Sequence, residues 1–302
     1  MPKGFVKVVD TLAAFAVLGP LTAWLLTTLR APDGDPATTP LTSSAPLMGA
    51  ALLVAAFLLT GFVGVVSGRM VTRGRGLCMV GFGLMWTTSV TANARQLLGD
   101  ADAASALNGL ILEAVLLIPL IALTGLIIEA VSPVSAEEQG LHHGPSLPPP
   151  GLAGIREGFV PGQFIASLAA AVVAAGVVGW IVAINTTKGQ AIFAAFLGGI
   201  AAGFAASAAA RSQHKTPSLL PPVLALPVVA LLTVIYLKFT ASQTIIPQTR
   251  AVASESINQL FALGRILPLD WAAGGLFGVP IGASWAASMV EKPKDSGELS
   301  PA

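Results

Sequence analysis

Residues 107–130 read LNGLILEAVLLIPLIALTGLIIEA, a run of apolar residues broken by only a few polar ones. Wound as a helix at 1.5 Å per residue, it would be about 36 Å long, enough to cross a hydrocarbon layer of roughly 30 Å. Seven more stretches of this kind follow the same pattern, at 9–29, 46–67, 77–95, 162–184, 189–210, 218–238 and 270–289. They are rich in Ala, Gly, Leu and Val and lack the period-two alternation of barrel strands. Inside a bilayer each segment must satisfy its own backbone groups, which a helix does. The expected fold class is therefore all-α, a polytopic transmembrane bundle of about eight helices. Composition agrees: 54% of the residues are hydrophobic and 10% charged, against about 25% charged in soluble domains. Such a chain could not cover its own surface with charge in water.

The first segment follows Lys3 and Lys7 and so resembles a secretory signal. Its apolar run from Thr11 to Leu29 exceeds the roughly 7–15 residues of a signal core, and no A-x-A site follows. It reads as a retained helix. With both termini in the cytoplasm, ten basic residues fall inside and six outside. The inner ones cluster, above all Arg69, Arg73 and Arg75 in GRMVTRGRG, and the outer ones (Arg30, Arg95, Lys188, Lys238, Arg250, Arg265) stand singly. The positive-inside bias favours this orientation over its inverse. The expected home is a bacterial cytoplasmic membrane, with the lipid bilayer as the principal partner.

Three regions follow. Residues 1–135 hold helices one to four, 136–161 form a cytoplasmic Pro/Gly-rich linker with His142, His143 and Pro148–Pro150, and 162–302 hold helices five to eight and a short tail. AAFL occurs at 55–58 and again at 194–197, which raises a duplication into two four-helix halves without establishing one. The external loop 239–269 is long enough to carry a function. Ile257, Leu260, Phe261 and Gly264 in it would share one face of a short helix started by Ser254 or Ser256, lying either on the outer membrane surface or as a cap over the bundle.

Small residues mark packing faces. Gly199 and Gly203 form a G-x-x-x-G, and Gly274, Gly278 and Gly282 recur every four residues. Such faces let backbones approach closely in lipid, within one chain or across a homo-oligomer or membrane complex. Pro20, Pro119, Pro227 and Pro280 lie inside spans, where each removes a backbone donor.

Glu113 is the one acidic residue well inside an apolar span, roughly 9 Å below the entry at Leu107. A lone carboxylate there is costly, by about 2.5–3.5 kcal/mol on insertion scales. Thr88, Thr91 and Arg95 share a face of the preceding helix. With Asn108 and Glu113 they define an expected polar cluster, either an Arg–Glu clamp between helices or a substrate or proton site. Asp10, Glu129 and Asp270 read as interfacial, with Asp270 favoured by the helix dipole. Trp86, Trp180, Trp271 and Trp285 read as interface anchors.

Catalytic patterns are missing from the sequence. His142, His143 and His214 all fall in loops, there is no H-E-x-x-H and no phosphate-cradling G-x-x-x-x-G-K-[ST], and Gly282-Ala283-Ser284 has no histidine in any span to activate it. Cys78 is the sole cysteine and reads as a small buried side chain. No metal, cofactor or nucleic acid is expected. The expected function is that of a structural or accessory membrane component without catalytic activity; the alternative is a small-solute or proton-coupled transporter using Glu113 and Arg95.

Overall fold

The computed structural model describes residues 3–98, 103–132, 161–212, 218–244 and 262–289. The described residues form helices α1 (Lys3–Leu12), α2 (Gly19–Leu26), α3 (Pro46–Met70), α4 (Arg73–Ser89), α5 (Ala94–Leu98), α6 (Ala103–Val131), α7 (Pro161–Val182), α8 (Lys188–Ser212), α9 (Leu220–Thr244) and α10 (Pro268–Ser288). A 3₁₀ turn at Ala262–Arg265 precedes α10. Among the described residues, six helical spans, within α1–α2, α3, α6, α7, α8 and α9, are long and apolar enough to cross a membrane. The linker 136–160, His214 and the proposed amphipathic stretch around Ile257 lie outside the described residues.

Large apolar side chains cover much of the outer surface, and α7 shows this most clearly. Along α7, Ile165, Val173, Val177, Trp180 and Ile181 are exposed, whereas Gln163, Ser167, Ala171, Ala175 and Gly179 are buried. This inverts the soluble pattern, and a surface so apolar marks contact with lipid. It also explains why periodicity alone would mislead along α7: hydrophobic residues line both faces, and there size separates inside from outside.

Helix ends follow local chemistry. Between α1 and α2 the backbone widens into a π-helical turn at Ala13–Leu18, where the Gly19 N–H donates to the Ala14 carbonyl. Pro20 follows and has no N–H to return to the Ala16 carbonyl, so the wider turn accommodates a donor the helix lacks. The expected span at 77–95 is divided in two. Thr72 starts α4 early by accepting from the Arg75 N–H (3.3 Å), and the chain turns after Ser89. Asn93 and Gln96 then exchange reciprocal bonds, Gln96 N–H to Asn93 Oδ1 at 3.0 Å and Asn93 N–H to Gln96 Oε1 at 2.9 Å. This capping box opens α5.

The bundle is built around α10, which is buried from Pro268 to Val279 except for Phe277. Its most extensive contact is with α8, and it also packs on α4, α9 and α6. The two helices run parallel, because Gly274 lies against Ile192 and Phe196 while Gly282 lies against Ile200 and Phe204. A methyl group on Gly203 would come within 2.9 Å of the Val279 carbonyl carbon, and one on Gly278 within 2.8 Å of the Ile200 nitrogen. On the other side of α10, a methyl on Gly81 of α4 would lie 2.8 Å from the Ala273 oxygen. Trp271 differs from its expected place at the interface. It is fully buried, its ring filling the space left by Gly179 and Gly198, where a Cβ would lie 2.7 Å from ring carbons.

At the end of the bundle where Arg73, Arg75 and Arg211 lie, called the basic end below, ion pairs tie neighbouring helices. Arg75 pairs with the buried Asp10 at 3.0 Å, and Asp10 accepts from Ser67 of α3. Arg73 pairs with Glu129 of α6 at 3.4 Å, and Ser218 donates to the same carboxylate at 3.0 Å.

Gly203→Ala should lower thermal stability in detergent micelles by about 1–3 kcal/mol through overpacking. Gly176→Ala, where a Cβ meets nothing within 4 Å, should be neutral or mildly stabilising. Equal melting temperatures for the two variants would contradict a close α8–α10 seam.

Candidate functional site

The end of the bundle opposite the basic end gathers four polar residues from four helices. Asp270, third residue of α10, is fully buried. Its Oδ2 accepts the Leu267 N–H at 3.1 Å, satisfying a donor that the first turn cannot bond itself. Its Oδ1 accepts from the Thr88 hydroxyl of α4 and lies 2.8 Å from the Lys188 ammonium, at the first residue of α8. Lys188 donates as well to the Ala92 carbonyl at 2.9 Å. One carboxylate thus fastens α4, α8 and α10 together. A lysine at a helix N-terminus is disfavoured by the helix dipole, and the aspartate offsets that while being favoured at the start of its own helix.

Glu113 of α6 is the fourth residue. It is fully buried, and neither carboxylate oxygen has a hydrogen-bond partner among the described residues. The Thr39 hydroxyl and the Leu41 backbone N–H face it without closing a bond. Lys188 and Asp270 lie within electrostatic reach. Counted from Ala103, Glu113 stands about 15 Å along its helix.

The loop between α2 and α3 covers this cluster. Within it Thr38, Thr39 and Ser43 are buried. The Thr42 hydroxyl lies 3.1 Å from that of Thr38 and 3.0 Å from that of Thr39. The Thr38 carbonyl accepts the Ala92 N–H at 2.9 Å, fixing the loop to the α4–α5 turn. Gly109 lets the loop lie directly on α6, for a Cβ there would come within 2.8 Å of the Leu41 oxygen. The cover is a threonine-rich plug held by its own hydroxyls, close above Glu113.

The residues singled out in the sequence are distributed as follows. Thr88 and Thr91 are buried, Thr88 on Asp270 and Thr91 donating to the Thr88 carbonyl at 2.8 Å. Arg95 is exposed on α5, and among the described residues no ion pair joins it to Glu113. The α5 capping box sets this, placing Ala94, Leu97 and Leu98 inward and Arg95 outward. Asn108 is exposed and accepts from Lys238 at 2.6 Å. Asp270 caps the start of α10 as expected, but it is buried at the centre of the cluster rather than interfacial, and its partner Lys188 is no solitary loop cation. A signal for the pair does exist: only residues 183–187 separate α7 from α8, which keeps Lys188 at the bundle edge beside the α10 start. Among the described residues no group of three His, Cys, Asp or Glu side chains could hold a metal ion.

Comparison with protein-family models, with characterised proteins and with solved structures yields no match.

Asp270→Asn should cost about 1.5–3 kcal/mol, because it removes the counter-charge from the partly exposed Lys188 ammonium. Replacing both partners, Asp270→Leu with Lys188→Met, should recover most of that loss. Thermal unfolding of the purified protein checks this; a double variant as unstable as the single one would mean that the pair does more than neutralise itself.

Proposed function

We propose that this multi-pass membrane protein carries a small solute in exchange or symport with protons, and that Glu113 is the carboxyl that takes up and releases the proton. The observation behind this reading is that both Glu113 oxygens are buried without a partner among the described residues. The Lys188–Asp270–Thr88 contact has a sufficient structural role in joining three helices. Among the described residues Glu113 closes no hydrogen bond that ties one helix to another, with only the Thr39 hydroxyl and the Leu41 N–H of the covering loop facing it, and an unpartnered buried polar group costs about 1–3 kcal/mol. Ionisable residues kept inside membrane spans mark proton and substrate pathways by default. The Lys188 ammonium and the Asp270 carboxylate lie within electrostatic reach of Glu113. Pro119, six residues further along α6, gives the helix a point at which to bend.

A structural or accessory role is the second reading. It rests on the dry, glycine-lined α8–α10 seam, which suits a rigid scaffold. On this reading the topology is the same: about eight spans with both termini cytoplasmic, in a bacterial cytoplasmic membrane.

Reconstituted vesicles containing a pH-sensitive dye and challenged with a panel of amino acids, sugars, carboxylates and amines discriminate the two. The wild type should acidify or alkalinise the lumen with one class of solute, and Glu113→Gln should abolish the response while remaining folded. If no solute moves protons through the wild type, the accessory role is the better account; if Glu113→Gln transports normally, the proton is not carried by Glu113.

A further inference from the structure

At the basic end a cavity of about 450 Å³ opens among α1, α4, α8 and α10. Its size falls in the range of small-molecule sites. Lys7, Arg73, Arg75 and Arg211 line it, with the hydroxyls of Thr72, Ser207 and Ser284, and its described lining contains no carboxylate. Among the described residues, Asp10 pairs with Arg75 and Glu129 with Arg73, and neither carboxylate is in the lining. These pairs fix the Arg73 and Arg75 guanidinium groups in place; Arg75 also donates to the Lys7 carbonyl at 2.8 Å, and backbone holds a third guanidinium, Arg211, which donates to the Ala286 carbonyl at 3.0 Å. Guanidinium groups held this way lose little freedom when they take up an anion, and their planar forks match phosphate oxygens. The start of α4 contributes too. Arg73 and Gly74 of its first turn are in the lining, where helix N–H groups lack intrahelical partners and the dipole favours negative charge.

The remaining wall is apolar. Val71, Leu219, Pro280, Ile281 and Trp285 form it, and Trp285 is more than half exposed on the outer face of α10. A basic floor beside an apolar, outward-facing wall fits a molecule that is anionic at one end and greasy at the other. We infer that this cavity binds a phosphate group, as carried by the headgroup of an anionic phospholipid or by a soluble phosphate ester. Basic pockets between membrane helices hold lipid headgroups through this chemistry. The site is separate from the Glu113 cluster and does not rest on the transport reading.

The test uses the full chain purified in a neutral detergent. Its melting temperature is followed while short-chain phosphatidylglycerol, short-chain phosphatidylcholine, glycerol 3-phosphate or inorganic phosphate is added. Two variants accompany it, Arg211→Gln and the conservative Lys7→Gln, the latter at an exposed residue whose change should not disturb folding. Phosphatidylglycerol should raise the melting temperature of the wild type well beyond phosphatidylcholine, with the half-maximal concentration at least threefold higher in Lys7→Gln and higher still in Arg211→Gln. If glycerol 3-phosphate or inorganic phosphate gives the larger saturable shift, again weakened in both variants, the phosphate site stands and its ligand is soluble. If no phosphate compound shifts the wild type, or if both variants respond as the wild type does, the inference is wrong.

Discussion

The parallel contact of α8 and α10 sets the geometry of everything around it. In lipid there is little hydrophobic gain from bringing two helices together, so close packing must supply the attraction. Gly199, Gly203, Gly274, Gly278 and Gly282 remove the side chains that would keep the two backbones apart. Because α8 and α10 run in the same direction, their N-termini meet at one end of the bundle, and Lys188 and Asp270 meet with them. The ion pair is therefore a consequence of the seam, and Thr88 extends it to α4. At the other end the same parallel arrangement brings Arg211 to the carbonyl of Ala286 and opens the basic cavity beside α4.

This organisation separates two kinds of buried polar group. Asp270, Lys188, Thr88 and Thr91 bond one another or a nearby backbone, as buried polar atoms in native proteins generally do. Glu113 stands beside them under the Thr38–Ser43 plug with its oxygens unpartnered among the described residues. Packing does not require it, for leucine or methionine would fill the same volume in α6 at lower cost. Proteins retain such costs where activity depends on them. That contrast between a satisfied cluster and an unsatisfied neighbour is the reason to place proton handling at Glu113.

Much of the architecture is legible in the sequence because long apolar runs have few other destinations. The exceptions have local causes. The span expected at 77–95 differs from the structure at both ends: the Thr72 cap and the Asn93–Gln96 box are short polar signals that a hydropathy window averages away. Helical spacing with Thr88 and Thr91 makes Arg95 the natural partner of Glu113, but that spacing holds only if the helix continues, and it stops at Ser89. Trp271 and Asp270 look interfacial in sequence because they open a helix. Their burial depends on Gly179, Gly198, Lys188 and Thr88, which come from three other helices, and no local pattern announces such a meeting. The burial of Glu113 follows from its apolar surroundings. Its isolation from Arg95 does not, since the plug over it comes from a loop far earlier in the chain.

The central claim is that the Glu113 carboxyl weakens the fold and is kept for what it does. The most direct measurement is the melting temperature of Glu113→Met, purified and compared with the wild type in the same detergent at neutral pH. Methionine fills a similar volume and has no oxygen to leave unbonded. The variant should be at least as stable as the wild type, and more stable by as much as about 1–3 kcal/mol if the full cost of the orphan carboxyl is recovered. A clear fall in melting temperature would show that Glu113 holds the bundle together, and the proton-handling role would lose its basis.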